Sequence, residues 1–200
     1  LFRSDQTGQR DNTIILYLWG DNGSSAEGQN GSISELLAQK KKLLGICFGH
    51  QLIALCMGAP VGRAPQGWGA GRMTYDWHRN DLPHCTERTA ISLLASHQDQ
   101  VHALPSGATL VASSDFCPVA AFTVDDAVFC IQPHPEFEES LSAHLINKRR
   151  DLLGEEKHRA SLHSLAHGHE GAHVARMLVA FIEGEDRAQA GAELAGLLVV

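Results

Sequence analysis

Lys42-Leu43-Leu44-Gly45-Ile46-Cys47-Phe48-Gly49-His50-Gln51-Leu52-Ile53-Ala54-Leu55-Cys56-Met57-Gly58 is the stretch that decides the fold. Residues 42–46 are a candidate buried strand. From His50 to Met57 the apolar residues Leu52, Ile53, Leu55 and Cys56 recur at helical spacing until Gly58 closes the segment. The junction therefore predicts strand, sharp turn, helix, as in an α/β domain. Cys47 stands at the turn between two glycines, the G-x-nucleophile-x-G arrangement. A turn this tight strains the nucleophile's backbone and brings neighbouring chain close, so side chains at the flanking positions would clash. The helix that follows points its amides and positive dipole end at the sulfur, which favours thiolate over thiol, and Phe48 N–H is placed as one oxyanion donor. On this stretch alone a second reading stays open, a small buried cysteine that fills a βα turn.

Working outward, residues 13–18 (Thr-Ile-Ile-Leu-Tyr-Leu) read as a buried strand, the turn-rich residues 20–25 as a loop and residues 32–40 as a helix. Downstream, residues 72–77, 90–95, 108–113, 119–124 and 127–131 are short strand candidates separated by Gly, Pro or Asp, which predicts a β-rich layer. Beyond Pro133 and Pro135 the pattern returns to helix, over residues 137–153 and again over 172–183, where Val174, Met177, Leu178 and Phe181 share a face. The Ala-rich residues 186–200 read as a helix packed on the body. No internal repeat or linker divides the chain, and 200 residues suit one domain.

Composition narrows the function classes. With 44% hydrophobic and 20% charged residues the balance is that of a globular protein. The net charge of −7 repels nucleic acid and anionic membranes, and no run of about 18 apolar residues offers a membrane span. The five cysteines (Cys47, Cys56, Cys85, Cys117 and Cys130) are scattered, without CxxC pairs or zinc-ligand spacing. A disulfide scaffold is not expected, and a cytoplasmic, reducing location is. Of the five, only Cys47 is flanked by glycines.

The second motif is Gln132-Pro133-His134-Pro135-Glu136, just past the strand candidate at 127–131 and so at the sheet edge where α/β enzymes gather side chains. The His134 imidazole could accept the thiol proton while the Glu136 carboxylate holds its other nitrogen, the logic of Cys-His-acid catalysis. Read alone, His134 is equally a turn residue among 12 histidines.

Taken together, Gly-Ile-Cys-Phe-Gly-His-Gln at 45–51 and Gln-Pro-His-Pro-Glu at 132–136 resemble the class I glutamine amidotransferases of the triad type. Between them, Ser96-His97-Gln98-Asp99-Gln100-Val101, Leu104-Pro105, Leu110-Val111-Ala112-Ser113-Ser114 and Cys117-Pro118 resemble the GMP-synthase-like members. Gly67-Trp68-Gly69-Ala70-Gly71 is similar to the segment after the elbow helix in stand-alone members, a group that includes γ-glutamyl peptidases. The resemblance implies an α/β fold with a three-layer, open, mostly parallel, flavodoxin-like sheet flanked by helices. It implies Cys47 as nucleophile, His134 as base and Glu136 as orienter, with Gln51 and the loop carrying Ser96, His97 and Gln98 near the substrate's amino-acid end. The reaction implied is acyl transfer from glutamine or a γ-glutamyl compound through a γ-glutamyl thioester, without metal or organic cofactor. An ammonia-accepting partner enzyme or a homodimer fits the same resemblance.

The match weakens at the front. Residues 1–40 read as a divergent or truncated opening with incomplete N-terminal strands, 41–183 as the amidotransferase core and 184–200 as a terminal helix or tail. If residues 13–18 are the strand before the second oxyanion loop, Gly20 or Gly23 supplies that loop. Losing one such donor costs about 100- to 1000-fold in rate, so a catalytically silent binding domain of the same fold is the third reading, beside glutaminase and γ-glutamyl peptidase. His158, His163, His167, His169 and His173 read as a solvated polar face and not a zinc site, Lys40-Lys41-Lys42 as solvated cover, and Gly67-Trp68-Gly69 as a turn that buries one aromatic.

Overall fold

The computed structural model describes residues 13–16, 37–38, 42–85 and 88–184. The predicted helix at 32–40, apart from 37–38, the loop at 20–25 and the tail at 186–200 lie outside them. In chain order the strands are β1 (Thr13–Leu16), β2 (Lys42–Ile46), β3 (Val61–Arg63), β4 (Gly69–Trp77), β5 (Ala90–His97), β6 (Asp99–Val101), β7 (Thr109–Ser113), β8 (Ala121–Val124) and β9 (Val128–Ile131). The helices are α1 (Phe48–Cys56), α2 (Glu139–Lys148), α3 (Arg150–Leu153), α4 (Glu155–Ser164) and α5 (Gly171–Glu183). Seven strands form one sheet in the order β1-β2-β9-β8-β7-β4-β5, and β3 pairs with β6 in a separate ribbon.

The α/β class and the flanking helices are as expected, but the sheet is mixed and not mostly parallel. β1, β2 and β9 run parallel, whereas β9-β8, β8-β7, β7-β4 and β4-β5 are all antiparallel. For β8 and β9 connection length is the reason, because a parallel neighbour needs a crossover of about a dozen residues or more. Residues 125–127 are all that separate β8 from β9, a tight turn in which Asp125 takes a positive φ of 47°. Such a link permits only a hairpin.

Alternation along the central strands feeds two apolar layers. Leu44, Phe129 and Ile131 face α5, where Val174, Met177, Leu178 and Phe181 pack together with Tyr75, Ile91 and Leu93. Leu43, Val128 and Cys130 face the other way, against Leu52, Ile53 and Ala54 of α1. Each of those buried aliphatic or aromatic side chains contributes about 1.5–3 kcal/mol, so α1 and α5 clamp β2 and β9 from opposite sides. Lys42 is not solvated cover: its Nζ donates to the Asp126 and Phe181 carbonyls at 2.5 and 3.2 Å and lies 4.7 Å from the Phe181 ring. It ties the start of β2 to the last turn of α5, where exposed carbonyls favour a cation.

Candidate active site

β2 and β9 are adjacent and parallel, so both end at the same edge of the sheet and send their chains to one place. Cys47 follows β2 directly and is the N-cap of α1, with φ 52° and ψ −102°, a conformation that a non-glycine residue holds only under constraint. The constraint is visible: Cys47 N–H donates to the Ile131 carbonyl at 2.9 Å and its carbonyl accepts Gln51 N–H at 3.1 Å. Gly45 is required by the same turn, because a Cβ there would lie 2.8 Å from the Gly49 carbonyl carbon and oxygen. Phe48 N–H is the first amide of α1, at the helix end where no intrahelical acceptor exists.

His134 is brought to Cys47 by the chain leaving β9. Its backbone N–H donates to the Leu94 carbonyl of β5 at 2.9 Å, and its ring stacks on Phe137 with centroids 3.8 Å apart and planes at 14°. Nδ1 lies 2.6 Å from Glu136 Oε1. A carboxylate only accepts, so Nδ1 carries the proton and Nε2 is left for the Cys47 sulfur, with which the imidazole shares a hydrogen bond. Burial alone would push the imidazole's pKa down. The hydrogen bonds and charges of Cys47 and Glu136 outweigh it and raise the value to about 9. The raised value favours the imidazolium form of the ring beside the sulfur.

The other anticipated residues divide. Gln51 is buried and faces inward, its Nε2 donating to the Asp99 carbonyl at 2.7 Å and to Gln132 Oε1 at 3.1 Å. Ser96 Oγ accepts from the buried Arg149 at 3.0 Å, and the Arg149 guanidinium lies 4.8 Å from the Trp68 ring. Trp68, only partly buried, thus packs by its face on a cation, so the segment does not bury its aromatic as expected. His97 is buried beside Phe116, with its pKa pushed down to about 3, first by burial and then by the charges of His134 and His50. Neither of its buried ring nitrogens has a hydrogen-bond partner among the described residues. The Gln98 carbonyl accepts Ala64 N–H at 2.8 Å, which seats the strap that carries β6. Gly20 and Gly23 lie outside the described residues.

Sequence reasoning missed Gln132. Its side chain is fully buried and its Nε2 donates to Cys47 Sγ at 3.5 Å. The signal was present, one residue before the Pro133-His134-Pro135-Glu136 run, but a glutamine at a strand end carries no mark of what lies opposite. Among the late histidines, His158 is buried and bonds Asn147 Oδ1 at 2.8 Å, so that part of the face is not solvated. Among the described residues no group of three or more His, Cys, Asp or Glu side chains is gathered as a metal ion would require.

An α/β sheet with a strained cysteine elbow and a His–Glu pair at its parallel edge defines the class. The class-I glutamine amidotransferase family model matches residues 11–150, and the chain belongs to that family. It is 36% identical to γ-glutamyl peptidase 3 of Arabidopsis thaliana over 115 residues, covering 54% of this chain and 46% of that protein. It is 38% identical to a glutamine-hydrolyzing GMP synthase subunit of Methanocaldococcus jannaschii, covering 57% of this chain and 61% of the relative. The chain spans about half the length of the curated relatives it matches. Among solved structures, a glutamine amidotransferase of Thermotoga maritima superposes with a TM-score of 0.68 at 23% identity, covering 86% of this chain and 77% of that one, a likeness of fold.

Proposed function

We propose that Cys47, His134 and Glu136 are a catalytic triad that hydrolyses the side-chain amide of glutamine or a γ-glutamyl amide. The observation that carries this reading is the imidazole held between the Glu136 carboxylate at 2.6 Å and the Cys47 sulfur. The Cys47 thiolate attacks the amide carbonyl carbon, and the resulting oxyanion is met by Phe48 N–H. His134, already protonated, delivers its proton to the departing nitrogen, leaving a γ-glutamyl thioester on Cys47 and ammonia or an amine in solution. The neutral imidazole then takes a proton from water, whose oxygen attacks the thioester and releases glutamate with the thiolate restored. No metal or organic cofactor enters any step.

Peptidase action on glutathione-like substrates is the second reading, favoured by the 36% identity to γ-glutamyl peptidase 3. The likeness to one component of a GMP synthase supports a further arrangement, in which a partner enzyme accepts the ammonia. None of the five cysteines is joined in a disulfide, in keeping with a cytoplasmic setting, and among the described residues no helix is long and apolar enough to cross a membrane. Steady-state release of glutamate from glutamine and from glutathione, beside Cys47→Ala, tests the proposal. A preference of about tenfold corresponds to roughly 1.4 kcal/mol of differential transition-state binding and decides between the first two readings. Folded protein silent toward every γ-glutamyl compound would leave a binding domain of the same fold.

A further inference from the structure

Two buried amides and one backbone carbonyl make a directed chain that ends on the nucleophile. The Asp99 carbonyl, at the start of β6, can only accept, so the Gln51 side chain must turn its NH2 group toward it, at 2.7 Å. The same nitrogen lies 3.1 Å from the Gln132 side chain, which must answer with its oxygen. Gln132 is thereby left with its own NH2 facing Cys47 Sγ at 3.5 Å. Neither amide can reverse without opposing two donors or two acceptors in a site where Gln51 and Gln132 are both buried. A donor held on sulfur favours the anion, because hydrogen bonds to charged acceptors are the stronger ones.

We propose that Gln132 is a positioning residue of this site, whose amide, oriented through Gln51 by the Asp99 carbonyl, holds the Cys47 sulfur as the thiolate. It acts beside the imidazole and not through it: His134 faces the sulfur from the end of β9, and Gln132 reaches it from the residue after that strand. The titratable groups around the sulfur are His134, Tyr75 from β4 and Cys117 from the loop after β7, and His50 of α1 lies beside Gln132. The burial of His50 pushes its pKa down to about 3, so it brings no charge to the relay above that pH. β6 pairs with β3 through Asp99 and Arg63, so the register of this small ribbon sets where the relay begins.

The inference rests on reading Cys47 as the nucleophile and is tested without substrate, so the two can fail separately. The probe is iodoacetamide, with alkylation of the Cys47 peptide followed by mass spectrometry against pH. In Gln132→Met, which keeps length and removes the donor, the midpoint of the alkylation profile is expected to rise by about one pH unit, with about tenfold slower reaction below it. Gln51→Leu, which frees the Gln132 amide to turn, should raise it by a smaller step. A Gln132→Met protein that melts like the parent and keeps the parent's midpoint overturns the proposal, and if that variant does not fold, an unchanged midpoint in Gln51→Leu does. On the unsubstituted chain, the proton–nitrogen resonances of the Gln132 NH2 group must titrate with the alkylation midpoint; resonances indifferent to it overturn the proposal whatever the variants do. A chain that shows the shift yet cleaves no γ-glutamyl compound keeps the relay and loses the activity.

Discussion

β2 and β9 end side by side at one edge, and the chain leaving each carries residues of the proposed site to that edge: Cys47 from the first, Gln132, His134 and Glu136 from the second. β8, β7, β4 and β5 alternate in direction, so their loops are shared between both edges. What they give the site is support, as when the Leu94 carbonyl holds His134 N–H. The difference teaches how segments far apart in sequence meet. A parallel pair puts two chain exits at the same level, whereas a hairpin sends them to opposite ends.

The sharpest test of that division is the largest effect. Cys47→Ala should lower glutamine hydrolysis by at least about 10⁴-fold with the melting curve little changed. Ile91→Ala, in the buried core of the antiparallel half, should do the reverse, costing about 2–5 kcal/mol in a denaturant melt while the folded fraction hydrolyses near the parental rate. A folded but inactive Ile91→Ala would break the comparison. Gly45→Ala belongs to both categories, since its Cβ meets the Gly49 backbone at 2.8 Å. It should cost about 1–3 kcal/mol and lower kcat as the elbow shifts, seen by melting and kinetics together.

Smaller still is a pH effect confined to the parallel edge. His134 keeps its proton to about pH 9, so the pH-rate profile should fall on its alkaline side near there. Glu136→Gln removes one of the groups that raise this value and should move that limb to lower pH. The same raised value links to stability. The unfolded imidazole titrates at its ordinary value of 6.5, so His134 stabilises the fold fully below that pH and ceases to as pH rises through about 9. Tm followed across that window in parent and Glu136→Gln checks the sign. Smallest of all, Leu152→Ser at a side chain 70% exposed should move stability by less than about 0.5 kcal/mol.

Much of the parallel edge was legible in the sequence, for a physical reason. Strands buried on both faces read as unbroken apolar runs, as at 43–46 and 127–131, and the elbow's glycines mark a turn that few other residues allow. The antiparallel strands were found individually, but their pairing was not, because direction depends on connection length and three-dimensional closure. β3 and β6, three residues each, are too short to show alternation. α4 escaped notice because only His158 and Ser161 of its ten residues are buried, so it has no apolar stripe. Within the proposed site, the meeting of Cys47, His134 and Glu136 could be expected from spacing and type. Gln132 and the inward turn of Gln51 could not, because a hydrogen bond across the sheet edge leaves no periodic trace.

The central claim is that Cys47 becomes acylated. Protein mixed with glutamine, or with glutathione if that is the better substrate, would be quenched in acid during turnover and its peptides weighed. A γ-glutamyl adduct on the Cys47 peptide, absent from Cys47→Ala and accumulating in the steady state, is the expected result. Glutamate released with no such adduct at any time, and undiminished in Cys47→Ala, would contradict it.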